Sequence, residues 1–436
     1  MKLNRRYKRN FKENRSFYIV VSLLTVLVGM LAVSAISTSM LMKRVYHAAI
    51  DDCHTEDAQF VTLVPVSDNE ISDAEEKYDL TLERMLYVDE ELDGSKLRVF
   101  AQTDKVNTYL VTGGDDIAAD DEMLISEQYA NAHDLKIGDQ VAAAGQQYKI
   151  VGFMVRADYL AMLKETTDSF ANYEKFGMAI IKKNAVEEAE EHNEYYSVRY
   201  SADSSVAFRR DLNEDHHILS YTASDGNMRI NSALNQSKLI FSIALVVVPV
   251  LYIIVLLLIS LMLKRRLKSE QRQIGTLVAL GYRKGEIFRH YSIYAIIPAV
   301  VGGVIGVIGG YFATFPFSAF YFGYFESVPY TVKADIVTVI VILAAPLLLY
   351  TLVAYFTVSK VLKKAPVEML RQTEKSSGRS SRALVGKDIS FKTKYRIRSI
   401  VMHKSRSAVI IVGMIISTVC VLIGWCMLSL NLSPSP

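Results

Sequence analysis

Apolar residues gather in five long runs, at 17–42, 239–263, 291–315, 336–358 and 408–430, and none of them contains Asp, Glu, Lys, Arg or His. Each run exceeds the roughly 20 residues that a helix needs to cross a bilayer, so the pattern predicts about five transmembrane helices. Basic residues from Lys2 to Arg15 precede the first run, as they would in a signal peptide. Its apolar core is longer than the roughly 7–15 residues of a signal-peptide core and no small-residue cleavage site follows, so it reads as an uncleaved anchor. Between the first two runs the period shortens. Residues 59–66, 96–102 and 108–112 read as strands, 122–135 as a helix, and 140–144 with 147–155 as a hairpin across Gly145. A β-α-β-α-β pattern then occupies 178–222, and the whole of 45–237 reads as two small α/β lobes.

Charge gives the spans a direction. The chain has 49 Lys+Arg and 46 Asp+Glu, a formal net charge of +3. Residues 45–237 nevertheless hold 38 acidic and 16 basic side chains, a net of −22, whereas the rest holds 8 and 33, a net of +25. Such segregation excludes a soluble enzyme with a uniform surface. Lys and Arg near span ends mark the inner side, and 1–16, 264–290 and 360–406 are the basic segments. The expectation is a multi-pass protein of the cell membrane with a cytoplasmic N-terminus and 45–237 outside. Lys43 and Arg44 are a minor counter-signal, and the outer connection 316–335 has only Lys333. No span carries the ionisable residue that ion-coupled transporters keep, so energy for work across the membrane would come from a partner.

The chemistry-bearing residue types add little. Cys53 stands alone in the acidic segment, and Cys420 and Cys426 lie in the fifth run, so the fold does not depend on disulfides. His192, His216 and His217 lack the spacing of a zinc site and read as surface or packing residues. Neither a catalytic triad nor G-x-S-x-G can be assembled, and Gly386-Lys387-Asp388 lacks the rest of a phosphate-binding loop. No catalytic, metal or cofactor residue is therefore assigned, and no nucleic-acid partner is expected.

Two segments draw attention instead. From Ser269 to Ile287, Ile274, Leu277, Val278 and Leu280 share a broad helical face and Gly281 is a natural stop. This is a short amphipathic helix at the inner membrane surface, suited either to the groove of a cytoplasmic partner or to anionic lipid alone. In the third run Gly302, Gly306 and Gly310 recur every fourth residue, which suits close helix packing within one bundle or a dimer face. Pro249, Pro298 and Pro346 each interrupt a span. The Ser/Lys/Arg-rich 374–382 reads as a linker within 360–406. After it, Arg406-Ser407 leads into the fifth run much as Arg15-Ser16 leads into the first, as if a second four-span half were beginning.

Glu270, Ile274-Gly275-Thr276-Leu277, Ala279-Leu280-Gly281 and Ile287, followed by a glycine-rich span, resemble the pattern of FtsX-like ABC transporter permeases, among them the MacB-type proteins. Ala365-Pro366-Val367-Glu368-Met369-Leu370-Arg371 is similar to a cytoplasmic signature of that family. Leu124-Ile125-Ser126, Leu135 to Gln140 and Tyr148 to Gly152 resemble the MacB-type periplasmic core. Gln273 departs from the pattern, which commonly has Glu there. The resemblance implies an α-helical membrane bundle carrying an extracellular mixed α/β domain, without enzymatic activity of its own. ATP would be bound and hydrolysed by a cytoplasmic ATPase dimer, whose motion reaches the outer domain to drive export or extraction of a peptide or lipid-like substrate. The residues it implies for ATPase coupling are Glu270, Arg272, Ile274, Gly275, Leu277, Leu280, Gly281, Arg283, Lys284, Pro366, Glu368 and Arg371. Besides the lipid membrane, a second permease copy or an extracellular protein is a further partner. The alternative is a non-transporting receptor or scaffold that regulates an extracellular protein such as a cell-wall hydrolase.

Overall fold

In the computed structural model the first apolar run opens α1 (Arg15–Asp52), which continues well past the last apolar residue of the run. The structure describes residues 15–371 except 93, 165–167, 169–170, 190, 202–203 and 364, together with six positions between 413 and 425. Most of the basic N-terminus, the linker beyond 371 and most of the expected fifth span lie outside the described residues.

After α1 the chain forms β1 (Ala58–Thr62), α2 (Asp68–Tyr78), β2 (Leu80–Leu92), β3 (Ser95–Ala101), β4 (Tyr109–Gly114) and β5 (Glu122–Ser126). There follow α3 (Glu127–Ala132), β6 (Gln140–Ala143), β7 (Gln146–Arg156), β8 (Phe176–Ile181), α4 (Lys183–Glu187), β9 (Asn193–Tyr200), α5 (Ser205–His216) and β10 (Ile218–Ala223). The chain returns through α6 (Met228–Ser269), α7 (Gln271–Ala279), α8 (Lys284–Phe322), α9 (Ile336–Leu362) and α10 (Pro366–Arg371). Among the described residues α1, α6, α8 and α9 are long and apolar enough to cross a membrane. Each of the four is continuous, although α6 contains Pro249, α8 Pro298 and Pro316, and α9 Pro346.

Two compact units result. The first takes the described parts of 1–31, 246–309 and 339–436. Its core gathers Tyr18 and Val21 of α1, Ile259 and Leu263 of α6, Tyr294 and Ala295 of α8, and Tyr350 and Ala354 of α9. A polar contact inside it joins α1 to α9: the Thr25 hydroxyl donates to the Val21 carbonyl at 2.8 Å and lies 2.8 Å from the Tyr350 hydroxyl. Many outward residues of its helices, such as Leu23, Ile253, Ile305 and Leu348, are large, apolar and exposed, as lipid-facing positions are.

The second unit, 32–245 with 310–338, contains the α/β domain. Its ten strands form one hydrogen-bonded path in the order β10-β1-β9-β2-β3-β8-β5-β7-β4, with β6 paired to β7. This corrects the expectation of two lobes. Only β3–β8 and β5–β7 run parallel. Central β8 is buried at all six residues, so it reads as an apolar run rather than an alternation. Side chains alternate between two cores: Val99, Ile125 and Ile181 enter one, and Phe100, Leu124 and Ile180 the other. The expected helix at 122–135 divides into β5 and α3, because Met123 to Ser126 pair in the sheet and the Ser126 hydroxyl caps α3 through the Tyr129 amide. The β6–β7 hairpin does turn at Ala144 and Gly145, both at positive φ, the geometry of a tight hairpin turn. The segment 68–92, unassigned from the pattern, forms α2 and β2. A capping box between Ser67 and Glu70 starts α2, and Asp79 ends it in the left-handed region.

Candidate functional site

The segment that joins α6 to α8 is organised by Glu270. Arg266, in the last turn of α6, holds the Glu270 carboxylate at 2.5 Å, and the Tyr291 hydroxyl of α8 donates to the same group. Glu270 thereby ties the break between α6 and α7 to the beginning of α8. In α7, Ile274 and Gly275 are buried, and Leu277 and Val278 are half-buried against the core of this unit. The helix ends in paired bonds, Tyr282 N–H to the Leu277 carbonyl and Gly281 N–H to the Val278 carbonyl, each 3.1 Å. That is a Schellman stop, which needs a left-handed residue, and Gly281 supplies it at φ +89°. The short helix α10 begins on Pro366, suited to a first helical position, and lies against α7. Its Met369 is fully buried in the core that also holds Ile274.

The two sequence-distant segments singled out for coupling are thus brought together. Their residues divide into two groups. Ile274, Gly275 and, in part, Leu277 are consumed by internal packing. Arg272, Leu280, Gly281, Arg283, Lys284, Val367 and Glu368 are exposed, with Leu280 71% and Val367 68% accessible. The amphipathic face read from the sequence is therefore split, and Leu280 is its free apolar end. Pro366 is half-buried, and the Arg371 side chain lies outside the described residues.

The glycine stripe meets the chain's own first helix. A Cβ at Gly302 would come within 2.5 Å of Thr25 Cβ and 2.9 Å of the Ser22 carbonyl; one at Gly306 would lie 3.2 Å from Gly29 Cα. Gly310 is buried, and its carbonyl accepts from the Thr314 hydroxyl at 2.9 Å.

In the second unit, the ends of α1 and α6 are fastened by a buried polar cluster. The Glu56 carboxylate accepts from Ser197 Oγ at 2.5 Å, Asn107 Nδ2 at 2.8 Å and Asn227 Nδ2 at 3.4 Å. Burial, followed by the nearby Asp158 charge, pushes its carboxyl up to about 7. The fully buried Arg156 forms a two-pronged pair with Asp158 at 3.0 and 2.7 Å and stacks over Phe100. Arg229, at the start of α6, donates to the Leu163 carbonyl at 2.8 Å and to the Lys164 carbonyl. Burial pushes the Cys53 thiol up to about 12, the state of an inert packing cysteine.

The connection between α8 and α9 also docks on the domain. Glu326 is fully buried; its carboxyl lies 2.8 and 3.0 Å from the donating Ser126 hydroxyl, and its amide donates to the Leu160 carbonyl at 2.9 Å. Phe322 and Phe325 flank Tyr46 of α1 at ring distances of 5.3 and 5.8 Å. Burial raises the Glu326 carboxyl to about 8, and Glu127 acts in the same direction. Sequence reasoning missed Glu326, Glu56 and the Arg156–Asp158 pair. A lone acidic residue directly after an aromatic stretch, 320–325, was the available signal for the first. His216 packs with Nδ1 3.1 Å from the Val64 carbonyl, and no cluster of metal-ligating type occurs among the described residues.

Four membrane-length helices, a short amphipathic helix and a mixed α/β domain together describe a membrane protein with a large non-membrane part. Residues 241–366 match the family model of the FtsX-like permease C-terminal domain, consistent with an FtsX-like or MacB-type permease. The match begins within α6, spans α7, α8 and α9 and reaches the first residue of α10. No curated protein matches the chain.

Proposed function

We propose that this chain is the permease subunit of an ABC transporter, working by mechanotransmission. The observation that carries the reading is the joining of α7 to α10 within the region of family resemblance, with Leu280 and Val367 left exposed beside Arg272, Arg283 and Lys284. Exposed apolar residues on segments that also expose cations suit a groove on a cytoplasmic ATPase with acidic rims. ATP-driven closure of two such subunits pushes on α7 and α10, and α1 and α6 carry the motion to the outer domain. Both helices are unbroken over the stretches concerned, and the Glu56 cluster fixes their far ends, so little displacement is lost at the joints. Export or extraction of a peptide or lipid-like substrate is the activity this arrangement serves.

The test is affinity capture of the tagged chain from its native membrane with mass spectrometry of what accompanies it. A P-loop ATPase is expected, and Leu280→Asp should remove it while leaving the melting curve unchanged. Leu280 is the informative position, because Leu277→Asp would also disturb the internal core. Retention of the ATPase by Leu280→Asp would overturn the assignment of α7. Capture of extracellular proteins without any ATPase would favour the receptor or scaffold reading.

A further inference from the structure

Within the second unit, one end of α1, the 328–333 segment and the start of β4 line an open groove of about 420 Å³, within the roughly 300–1,000 Å³ typical of ligand sites. Its walls are apolar, from Leu41 and Val45 on α1, Val111 on β4, and Val328 and Pro329 on the connection. Two cations, Arg44 and Lys333, also line it. They come from elements nearly 300 residues apart. Both are also anomalous in the charge pattern: Lys333 is the sole basic residue of 316–335, and Arg44 belongs to the pair that runs against the positive-inside trend.

Among the described residues neither cation forms an ion pair within 4 Å. Asp335 senses Arg44 at longer range and stays charged while it caps α9, accepting from the Thr338 hydroxyl and amide at 2.5 and 2.8 Å. Asp52 is the one carboxylate in the lining, set against two cations. The position along the chain is informative. Arg44 lies two residues beyond the first apolar run and Lys333 three residues before the fourth. At about 1.5 Å of rise per helical residue, Arg44 falls in the interfacial layer where phospholipid headgroups reside.

We infer that this groove binds an anionic phospholipid of the bilayer, its phosphate between Arg44 and Lys333 and its upper chain carbons against Leu41, Val45 and Val328. The volume accommodates a headgroup and the first carbons, with the remaining chain left in the membrane. The inference rests on the membrane reading of α1 and α9, and not on the ATPase assignment.

The full-length protein, purified in a neutral detergent, is offered equal phosphatidylglycerol and phosphatidylcholine, and retained lipid is counted by native mass spectrometry. Wild type should retain phosphatidylglycerol preferentially. The double variant Arg44→Gln/Lys333→Gln should lose that retention by roughly tenfold or more, as expected for two headgroup cations. Lys43→Gln/Lys238→Gln, which removes the same charge beside the spans but outside the groove, should behave as wild type. Equal loss in both double variants, or no preference between the lipids, overturns the site. Equally tight binding of glycerophosphoglycerol, which lacks acyl chains, would mark a simple anion site and also overturn it. Recovery of the wild-type chain in the soluble fraction after a carbonate wash would overturn the membrane reading with it.

Discussion

Replacing Glu326 by Gln should abolish a pH dependence that the wild-type protein carries in the connection between α8 and α9. The docked carboxyl titrates at about 8 against an ordinary value of 4.5. Between those limits the docked form keeps its proton and an undocked, hydrated carboxyl does not, so raising the pH favours undocking. The contribution is fully present below pH 4.5, declines through the interval and is gone above about pH 8. At about 1.4 kcal/mol per pH unit the total is on the order of 4–5 kcal/mol. Neighbouring groups do not reverse the sign. Glu127 is a like charge, and the hydroxyls of Tyr46 and Tyr173 are held neutral chiefly by burial. The measurement is hydrogen exchange at the Glu326 amide, which is bonded to the Leu160 carbonyl. After correction for intrinsic exchange, wild-type protection should fall by about three orders of magnitude between pH 5 and pH 8. Glu326→Gln should show no such fall. A wild-type profile that is flat or rises with pH, or a Gln variant that follows wild type, would refute the reasoning.

Two further substitutions probe other parts of the frame. Arg156→Met leaves Asp158 buried without its cation and should destabilise the α/β domain by about 3–5 kcal/mol, read as a lowered midpoint in chemical denaturation. Gly302→Val forces atoms into Thr25 and the Ser22 backbone and should cost about 1–3 kcal/mol by overpacking, seen as a lowered melting temperature in detergent. If Gly302→Val instead melts as wild type but alters the oligomeric state, the stripe serves a contact between chains.

The membrane helices were legible because a bilayer demands a long uncharged run and nothing else in the chain resembles one. The segments around Ile274 and Pro366 were legible as motifs, but their contact was not, since no periodicity tells Met369 that it will meet the core around Ile274. The α/β domain shows where local pattern fails. Residues 122–135 have helical composition, yet pairing with β7 and β8 draws Met123 to Ser126 into the sheet. The helix at Asp68–Tyr78 fully buries none of its residues; its apolar stripe is only Ile71, Ala74 and Tyr78, in a highly charged segment, and the capping box is the clearer signature. The buried carboxyls were illegible for a different reason. Glu56 and Glu326 differ from surface glutamates only in what the tertiary fold places around them.

The way the chain enters and leaves the α/β domain sets its mechanical character. β1 follows α1 and β10 precedes α6, and the two strands pair antiparallel with Ala58 opposite Ala223. Both helix roots therefore pull at the same end of one ladder. A force that spreads the roots loads those hydrogen bonds one after another, like a zipper, rather than all at once in shear. The ladder alone would peel from Ala58 upward, and the Glu56–Asn107–Ser197–Asn227 cluster sits at that end as its clasp. Motion that carries both helices together leaves the clasp unstressed and moves the sheet as one body, whereas splaying them spends the stroke on opening β10.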